Sequence, residues 1–290
     1  MQSARDIKNR IKSISNTKQI AKAMEVVSAT KMKRSQEIVI ASRTFTRSIF
    51  NLIADIPSDV IAEHKLVKAK KINRETLIVI TSDKGLAGVY NSNILKNADK
   101  YIKEVSQSHP IDVIAIGKKA KEYYSKRQAN IIKDYQLVGD YIREDQSRKI
   151  SQHILDSYLG ESTDKISLIY TNFVSTLKQE VSITQILPID QENLKFRLKT
   201  IYNSKAYERK FEPDQSTLLN LALNYIFHLS VFDTIIDSNA SEHSARMLAM
   251  KKASDNASEI ISDLTLDYNK SRQAGITQEL IEIISGAEIA

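Results

Sequence analysis

One segment of this 290-residue chain has residue types that could cradle a phosphate: Asp83-Lys-Gly-Leu-Ala-Gly88, directly after the apolar run Thr76–Thr81. In an α/β fold a dinucleotide's pyrophosphate sits at such a strand-to-helix turn, where glycines let the backbone approach and free amides point at the anion. The glycines here are three apart, without the G-x-G-x-x-G spacing, and no G-x-x-x-x-G-K-[ST] occurs anywhere. The loop therefore predicts a tight turn with positive φ and no nucleotide site. Cysteine is absent, which excludes disulfides, thiolate zinc sites, iron–sulfur clusters and thiol nucleophiles. The five histidines (His64, His109, His153, His228 and His243) are scattered, with no partner at metal-ligand spacing, and read as surface or boundary residues. Asp233 with Asp237, and Glu279 with Glu282, sit at helical spacing and read as solvated helix faces. No Ser–His–Asp order or nucleophile elbow is present. The expectation is a chain with no catalytic residues, no bound cofactor and no metal.

Helix breakers define the elements around these residues. The first Gly or Pro in the chain is Pro57; the four prolines (57, 110, 188, 213) and five of the seven glycines fall between there and Pro213. Before Pro57, Ile7, Ile11, Ile14, Thr17, Ala21, Met24 and Ser28 recur at spacings of three and four, which predicts one long helix. About 50 residues of helix would reach roughly 75 Å. After Glu212-Pro213-Asp214, a plausible helix start, Leu218, Leu221, Tyr225 and Leu229 form one apolar row, and Ala257, Ile261, Leu264 and Tyr268 another. Helices this long need a packing partner. The two flanks match in length and carry narrow stripes rich in small residues, which predicts an antiparallel coiled coil joined through the middle.

The middle reads as α/β. Thr76–Thr81, Ile111–Ile116 and Ile166–Thr171 are short, β-branched-rich runs alternating with helical segments near 91–107, 118–128 and 144–159. That alternation predicts a parallel, Rossmann-like sheet, with Glu180–Ile189 as an edge strand. The expected domains are a coiled-coil helix over 1–56, a Rossmann-like α/β domain over 57–212 and a second coiled-coil helix over 213–290.

Composition is that of a folded protein, 42% hydrophobic and 27% charged, and no run reaches the roughly 18 consecutive apolar residues of a membrane span. Charge is uneven: residues 1–56 carry a net +7, residues 57–212 +6 and residues 213–290 −6. A basic arm could bind nucleic acid through phosphates, and a nucleic-acid-binding coiled coil is the alternative function. Against it, the basic flank has no aromatic interleaving and the acidic flank is a ready partner. The first 34 residues also have the basic, acid-poor composition of a transit peptide. Their helical spacing runs straight on to Pro57, so they are expected to be mature structure.

Four strings carry a family resemblance: IKSISNTKQIAKAMEVVSATKM (Ile11 to Met32), ITSDKGLAG (Ile80 to Gly88), SEHSARMLAMKKASDNASEII (Ser241 to Ile261) and RQAGITQELIEIISGA (Arg272 to Ala287). Together they closely resemble the gamma subunit of F-type ATP synthases over the whole chain. Ala87 stands where that family's turn commonly has Cys, and the bulky Ile289 where it commonly ends in small residues. The resemblance implies a non-catalytic central-stalk rotor whose coiled coil penetrates a ring of alpha and beta subunits. Its α/β domain would sit with the epsilon subunit on the c-ring. Ion (proton or sodium) transport would turn it and drive ATP synthesis at the beta subunits. Membrane contact would come only through the complex, on the cytoplasmic face of a bacterial plasma membrane, and nucleic acid would not be a partner. Carried over by residue, Met24, Arg246, Arg272, Gln273, Thr277 and Glu279 would lie in the rotor–stator coupling region, and Phe211 and Glu212 at the foot facing c-ring and epsilon.

Overall fold

The computed structural model describes residues 4–54, 56–127, 129–136, 142–192, 194 and 214–289. They fall into two compact units, residues 1–29 with 246–290 and residues 30–245. Two long helices contribute to both: α1, Ala4–Ile53, and α6, Gln215–Ile289. Phe211 and Glu212 lie outside the described residues.

The larger unit holds a five-stranded sheet of order β3-β2-β1-β4-β5. Its strands are β1 (Glu75–Ile80), β2 (Ile111–Ile116), β3 (Ile131–Tyr135), β4 (Lys165–Phe173) and β5 (Gln179–Leu187). The first four are parallel, and β5 runs antiparallel to β4 as an edge. The sheet is parallel over four strands, as the sequence pattern predicts, and its edge strand β5 makes it mixed. The β4–β5 link is a hairpin turning at Ser175–Lys178, too short for the crossover that parallel strands require. The short helix α2 (Ser58–Ala62) follows Pro57; α3 (Tyr90–Val105), α4 (Lys118–Ser125) and α5 (Glu144–Leu159) alternate with the strands. Neither α2 nor β3 is anticipated by the sequence pattern. The side chains of β3 are exposed or half-buried, so it lacks the apolar signature of the inner strands.

β1 is buried at every position because helices cover both faces. Leu77 and Val79 face one core with Tyr90, Ile94 and Ala98 of α3 and Ala120 and Tyr124 of α4. Ile78 and Ile80 face the other, with Ile150, Ile154 and Tyr158 of α5, Ile49, Phe50 and Ile53 of α1, and Leu219, Leu223, Phe227 and Val231 of α6. One 18-residue window of α6 reaches a mean hydropathy of 1.3, enough by length and composition to cross a membrane. Half of that window is buried inside the protein, as expected of a core helix. Within this unit α1 and α6 run antiparallel. The Ser42 hydroxyl donates to Asp233 Oδ1 (2.6 Å), and three residues later Phe45 stacks edge-on against Tyr225, earlier in α6 (centroids 5.7 Å apart). Asp214 caps α6, accepting from the Thr217 N–H (2.8 Å) and the Ser216 and Thr217 hydroxyls (2.6 and 2.7 Å). These bonds, Ser216 first, pull its pKa down to about 2.

In the smaller unit, burial follows a repeat of three and four on each helix. On α1 the buried or half-buried series is Ala4, Ile7, Ile11, Ile14, Lys18, Ala21, Glu25 and Ser28. On α6 it is Met247, Met250, Ser254, Ala257, Ile261, Leu264, Tyr268 and Ser271. A mean period of 3.5 is the coiled-coil seam. Its most buried positions on both helices are mostly small: Ala21 6%, Ser28 3%, Ser254 5% and Ala257 7% exposed.

A buried carboxylate ties the amino ends of β1 and β4 together. Glu75 has no exposed surface. Its Oε1 accepts from the Tyr101 and Ser167 hydroxyls (both 2.6 Å), and its Oε2 faces His109 Nε2 and Lys165 Nζ (both 3.2 Å). Burial alone raises the carboxyl's pKa, but the Ser167, Tyr101 and His109 hydrogen bonds and the Lys165 charge outweigh it and hold it below the ordinary value.

Two outcomes follow. Matching the two seam series end to end sets Ala21 opposite Ser254. In this cysteine-free chain, Ala21→Cys should therefore crosslink with Ser254→Cys, or with Ala257→Cys one layer on; failure of every such seam pair would refute the packing. The second concerns Glu75, whose depressed pKa makes its contribution to stability fully present above the ordinary carboxylate range and lost as pH falls through its folded value. Glu75→Gln should cost about 1–3 kcal/mol at neutral pH in denaturant unfolding. The gap from the parent should shrink in acid; a gap independent of pH would contradict the charge.

Candidate functional site

The loop after β1 has the turn geometry its sequence predicts, with its polar groups folded inward. Positive φ falls on Leu86 (62°) and Gly88 (55°). The Ser82 N–H donates to Asn91 Oδ1 (3.0 Å), Asn91 Nδ2 to the Ser82 hydroxyl (2.7 Å), and that hydroxyl to the Lys84 carbonyl (2.6 Å). The first-turn amides of the neighbouring helix α4 are also bonded. Its Lys118 N–H donates to Asp83 Oδ1 (2.7 Å), Lys119 N–H to the Ser82 carbonyl (3.1 Å) and Ala120 N–H to the Thr81 hydroxyl (2.8 Å). Gly117, at φ 98°, makes this approach possible, since a Cβ there would meet the Thr81 carbonyl oxygen at 2.1 Å.

The crevice at the carboxyl ends of β1 and β4, where strand order reverses and where open α/β sheets bind ligands, is occupied by α6. The Tyr90 hydroxyl meets Ser238 Oγ at 2.7 Å, the Phe173 N–H donates to Asp237 Oδ2 (3.3 Å), and the Ser244 hydroxyl donates to the Thr176 carbonyl (2.8 Å). Asp233 and Asp237 are therefore packing groups. The solvated-face reading fails for them because α6 is buried on the sides facing α1 and the β4–β5 hairpin. The boundary reading fails likewise for His228 and His243, 8% and 1% exposed. His228 Nδ1 lies 2.6 Å from the Ser151 hydroxyl, and its pKa is lowered by burial and then by Arg148. Among the described residues no three His, Asp or Glu side chains converge as a metal site.

The residues singled out for coupling separate into kinds. Arg272, Gln273, Thr277 and Glu279 are all exposed on two turns of α6, with the Thr277 hydroxyl donating back to the Gln273 carbonyl (2.9 Å). Met24 is half-buried beside the α1 seam. Arg246, about 39 Å down the α6 axis from Arg272 by helical rise, is only 6% exposed. A further feature is not singled out by sequence. Beyond Ser271 every described side chain of α6 is exposed, including Ile276 (49%), Leu280 (54%), Ile283 (67%) and Ile284 (61%). Apolar residues at 276, 280 and 283 were a legible helical stripe, indistinguishable in sequence from the seam that precedes them.

A family model described as ATP synthase matches residues 3–289. An ATP synthase gamma chain from Roseiflexus sp. (strain RS-1) is 36% identical over 291 residues, covering 99% of this chain and 98% of its own. The gamma chain from Geobacter metallireducens is 38% identical, covering 99% of each. The chain belongs to the ATP synthase gamma chain family. Its fold is that of a solved chain from the Euglena gracilis mitochondrial ATP synthase, OSCP/F1/c-ring, with a TM-score of 0.67 at 20% identity over 98% of this chain and 93% of that one. A chain of the Tetrahymena thermophila mitochondrial ATP synthase central stalk/c-ring aligns with a TM-score of 0.59 at 23% identity, over 81% of this chain and 99% of its own.

For this gamma-family chain the filled crevice carries a direct expectation. Calorimetry with ATP or ADP should show no binding tighter than about millimolar, since α6 fills the crevice and the first-turn amides of α4 are already bonded. A micromolar titration by the isolated chain would overturn it.

Proposed function

We propose that this chain is the central-stalk rotor of an F-type ATP synthase: non-catalytic itself, and turned by ion flow through a c-ring so that it drives the beta-subunit sites through their conformations in sequence. The observation that carries the reading is the bare end of α6. An isolated helix of 18 residues, 272–289, is marginal in water, and one with Ile276, Leu280, Ile283 and Ile284 exposed is doubly so. Such a segment is suited to a surrounding sleeve of other chains, here the ring of alpha and beta subunits. Apolar side chains permit sliding in that sleeve, while Arg272, Gln273, Thr277 and Glu279 supply the few directional contacts.

The remaining partners follow from the same reading. The epsilon subunit and the c-ring would meet the α/β end, where Phe211 and Glu212 are the proposed foot. Membrane contact would come through the complex, on the cytoplasmic face of a bacterial plasma membrane. Met24 would act from the α1 side near a beta lever, and Arg246, being buried, would hold the coiled coil in the shape that the lever meets.

A guanidinium beside an amide on one exposed helix offers rigid donors with an acceptor, and so can engage a carboxylate- or hydroxyl-bearing loop. Contacts that form and break with rotation should govern a step's rate and leave the shaft's stability alone. Replacing Arg272 and Gln273 together with Ala should leave folding and assembly within about half a kcal/mol, as for other exposed helix positions. Turnover of the reconstituted complex should fall about tenfold for each 1.4 kcal/mol lost from a rate-limiting step. The check is ATP hydrolysis and ion-driven synthesis with assembly scored separately. Parental rates in both directions from fully assembled complex would refute the assignment of these two residues.

A further inference from the structure

The edge of the sheet at β3 combines two features that the rotor reading does not use. First, no strand lies beyond β3 among the described residues. Tyr135 turns its carbonyl toward β2, accepting from the Gly117 N–H at 2.8 Å, so the backbone N–H of the adjacent Asp134 faces away from the sheet. Second, the helix covering this edge is strongly basic. Lys118, Lys119, Lys121, Lys126 and Arg127 on or just after α4, with Lys133 on β3, stand among four carboxylates: Glu122, Asp134, Asp83, which accepts from the Lys118 N–H, and Asp99, which accepts from the Tyr123 hydroxyl.

The cations outnumber the acids they can pair with. Glu122 is shared by Lys119 (3.1 Å) and Lys118 (3.8 Å), while Asp134 takes Lys121 (3.0 Å). Both carboxylates are held below their ordinary pKa, Glu122 first by its bond from Lys119 and then by the charges of Lys119, Lys118 and Lys126. Asp134 is lowered first by Gln136 and then by Lys121 and Lys133. A positive field therefore covers the open edge. Lys126, Arg127 and Lys133 are exposed. Lysines at an edge commonly deter indiscriminate strand pairing, and the same lysines select a strand of opposite charge.

We propose that the β3 edge and the basic face of α4 form a docking site for an extended acidic segment of a partner protein, which joins the sheet beside β3. Backbone hydrogen bonds to the outward groups of β3 would supply register, and acidic side chains on the face toward α4 would meet Lys118, Lys121 and Lys126. An anionic membrane would answer the charge and leave the strand edge unused, so the edge favours the peptide.

The test uses the full chain and a labelled, strand-length synthetic peptide alternating Glu or Asp with Val or Thr, read by fluorescence anisotropy. Saturable binding is expected, weakened by salt, with no binding of the same peptide carrying Lys for each acid. Lys118→Glu with Lys126→Glu should weaken it at least tenfold, roughly the effect of reversing two close charges. The milder Lys126→Ala should weaken it less, with folding of both variants checked by circular dichroism. Hydrogen exchange should slow in the fragment holding residues 131–135 when the peptide is bound. Absence of binding, equal affinity in both variants, or binding without protection of that fragment would overturn the proposal. So would association with phosphatidylglycerol vesicles where the peptide gives none.

Discussion

The seating of α6 across the carboxyl ends of β1 and β4 is the constraint on which most of this structure depends. Asp237, Ser238 and Ser244 place hydrogen bonds on Phe173 at the end of β4, Tyr90 at the start of α3 and Thr176 in the β4–β5 hairpin. Buried polar groups tolerate few alternative arrangements, so these bonds fix the rotation and axial position of α6 on the sheet, which apolar burial alone would leave loose. The same contact occupies the crevice that an open α/β sheet ordinarily gives to a ligand. One packing event thus turns a nucleotide-binding architecture into a mount for a helix.

The coiled coil follows a different rule. Its most buried positions are small, and Ala and Ser bury little apolar area each. What they permit is close approach of two axes, so stability comes from many backbone-proximal contacts spread along the seam and from no single large side chain. Ile14, Ile261, Leu264 and Tyr268 are only half-buried and add to this without dominating it. Such a seam resists bending along its length while each layer remains individually weak. Beyond Ser271 the described side chains of α6 are exposed, and in the proposed function the apolar ones are accommodated by other chains.

Much of this was legible in the sequence because its signals are local. The breaker map bounded both long helices to within a few residues, and Thr76–Thr81, Ile111–Ile116 and Ile166–Thr171 all overlie strands. The glycine spacing after β1 correctly pointed to a turn. What was missed depends on tertiary placement. β3, at an edge, lacks an inner strand's apolar run. Asp237 and His243 look solvated on a helical wheel, and only the docking of α6 buries them. The resemblance grouped Arg246 with Arg272, and nothing local in sequence distinguishes a buried guanidinium from a bare one.

That last difference divides the residues proposed for coupling by what they can do. A guanidinium at 6% exposure, as at Arg246, has given up most of its hydration and is held by partners within the fold. Removing it would strand those partners, and its effect on any activity would come through the shape of the helix pair. Arg272 is exposed with no ion pair among the described residues, and can take up a partner's carboxylate and release it at little net cost. Reversible contact of this kind needs a nearly neutral balance, because a contact that is strong in every orientation would arrest rotation and one that is always weak would transmit nothing. Exposed Arg272 and Gln273 on a stiff helix, flanked by apolar Ile276 and Leu280, meet that condition. Their selectivity would come from the asymmetry of what surrounds them, and the helix itself need only present them at a constant radius and angle.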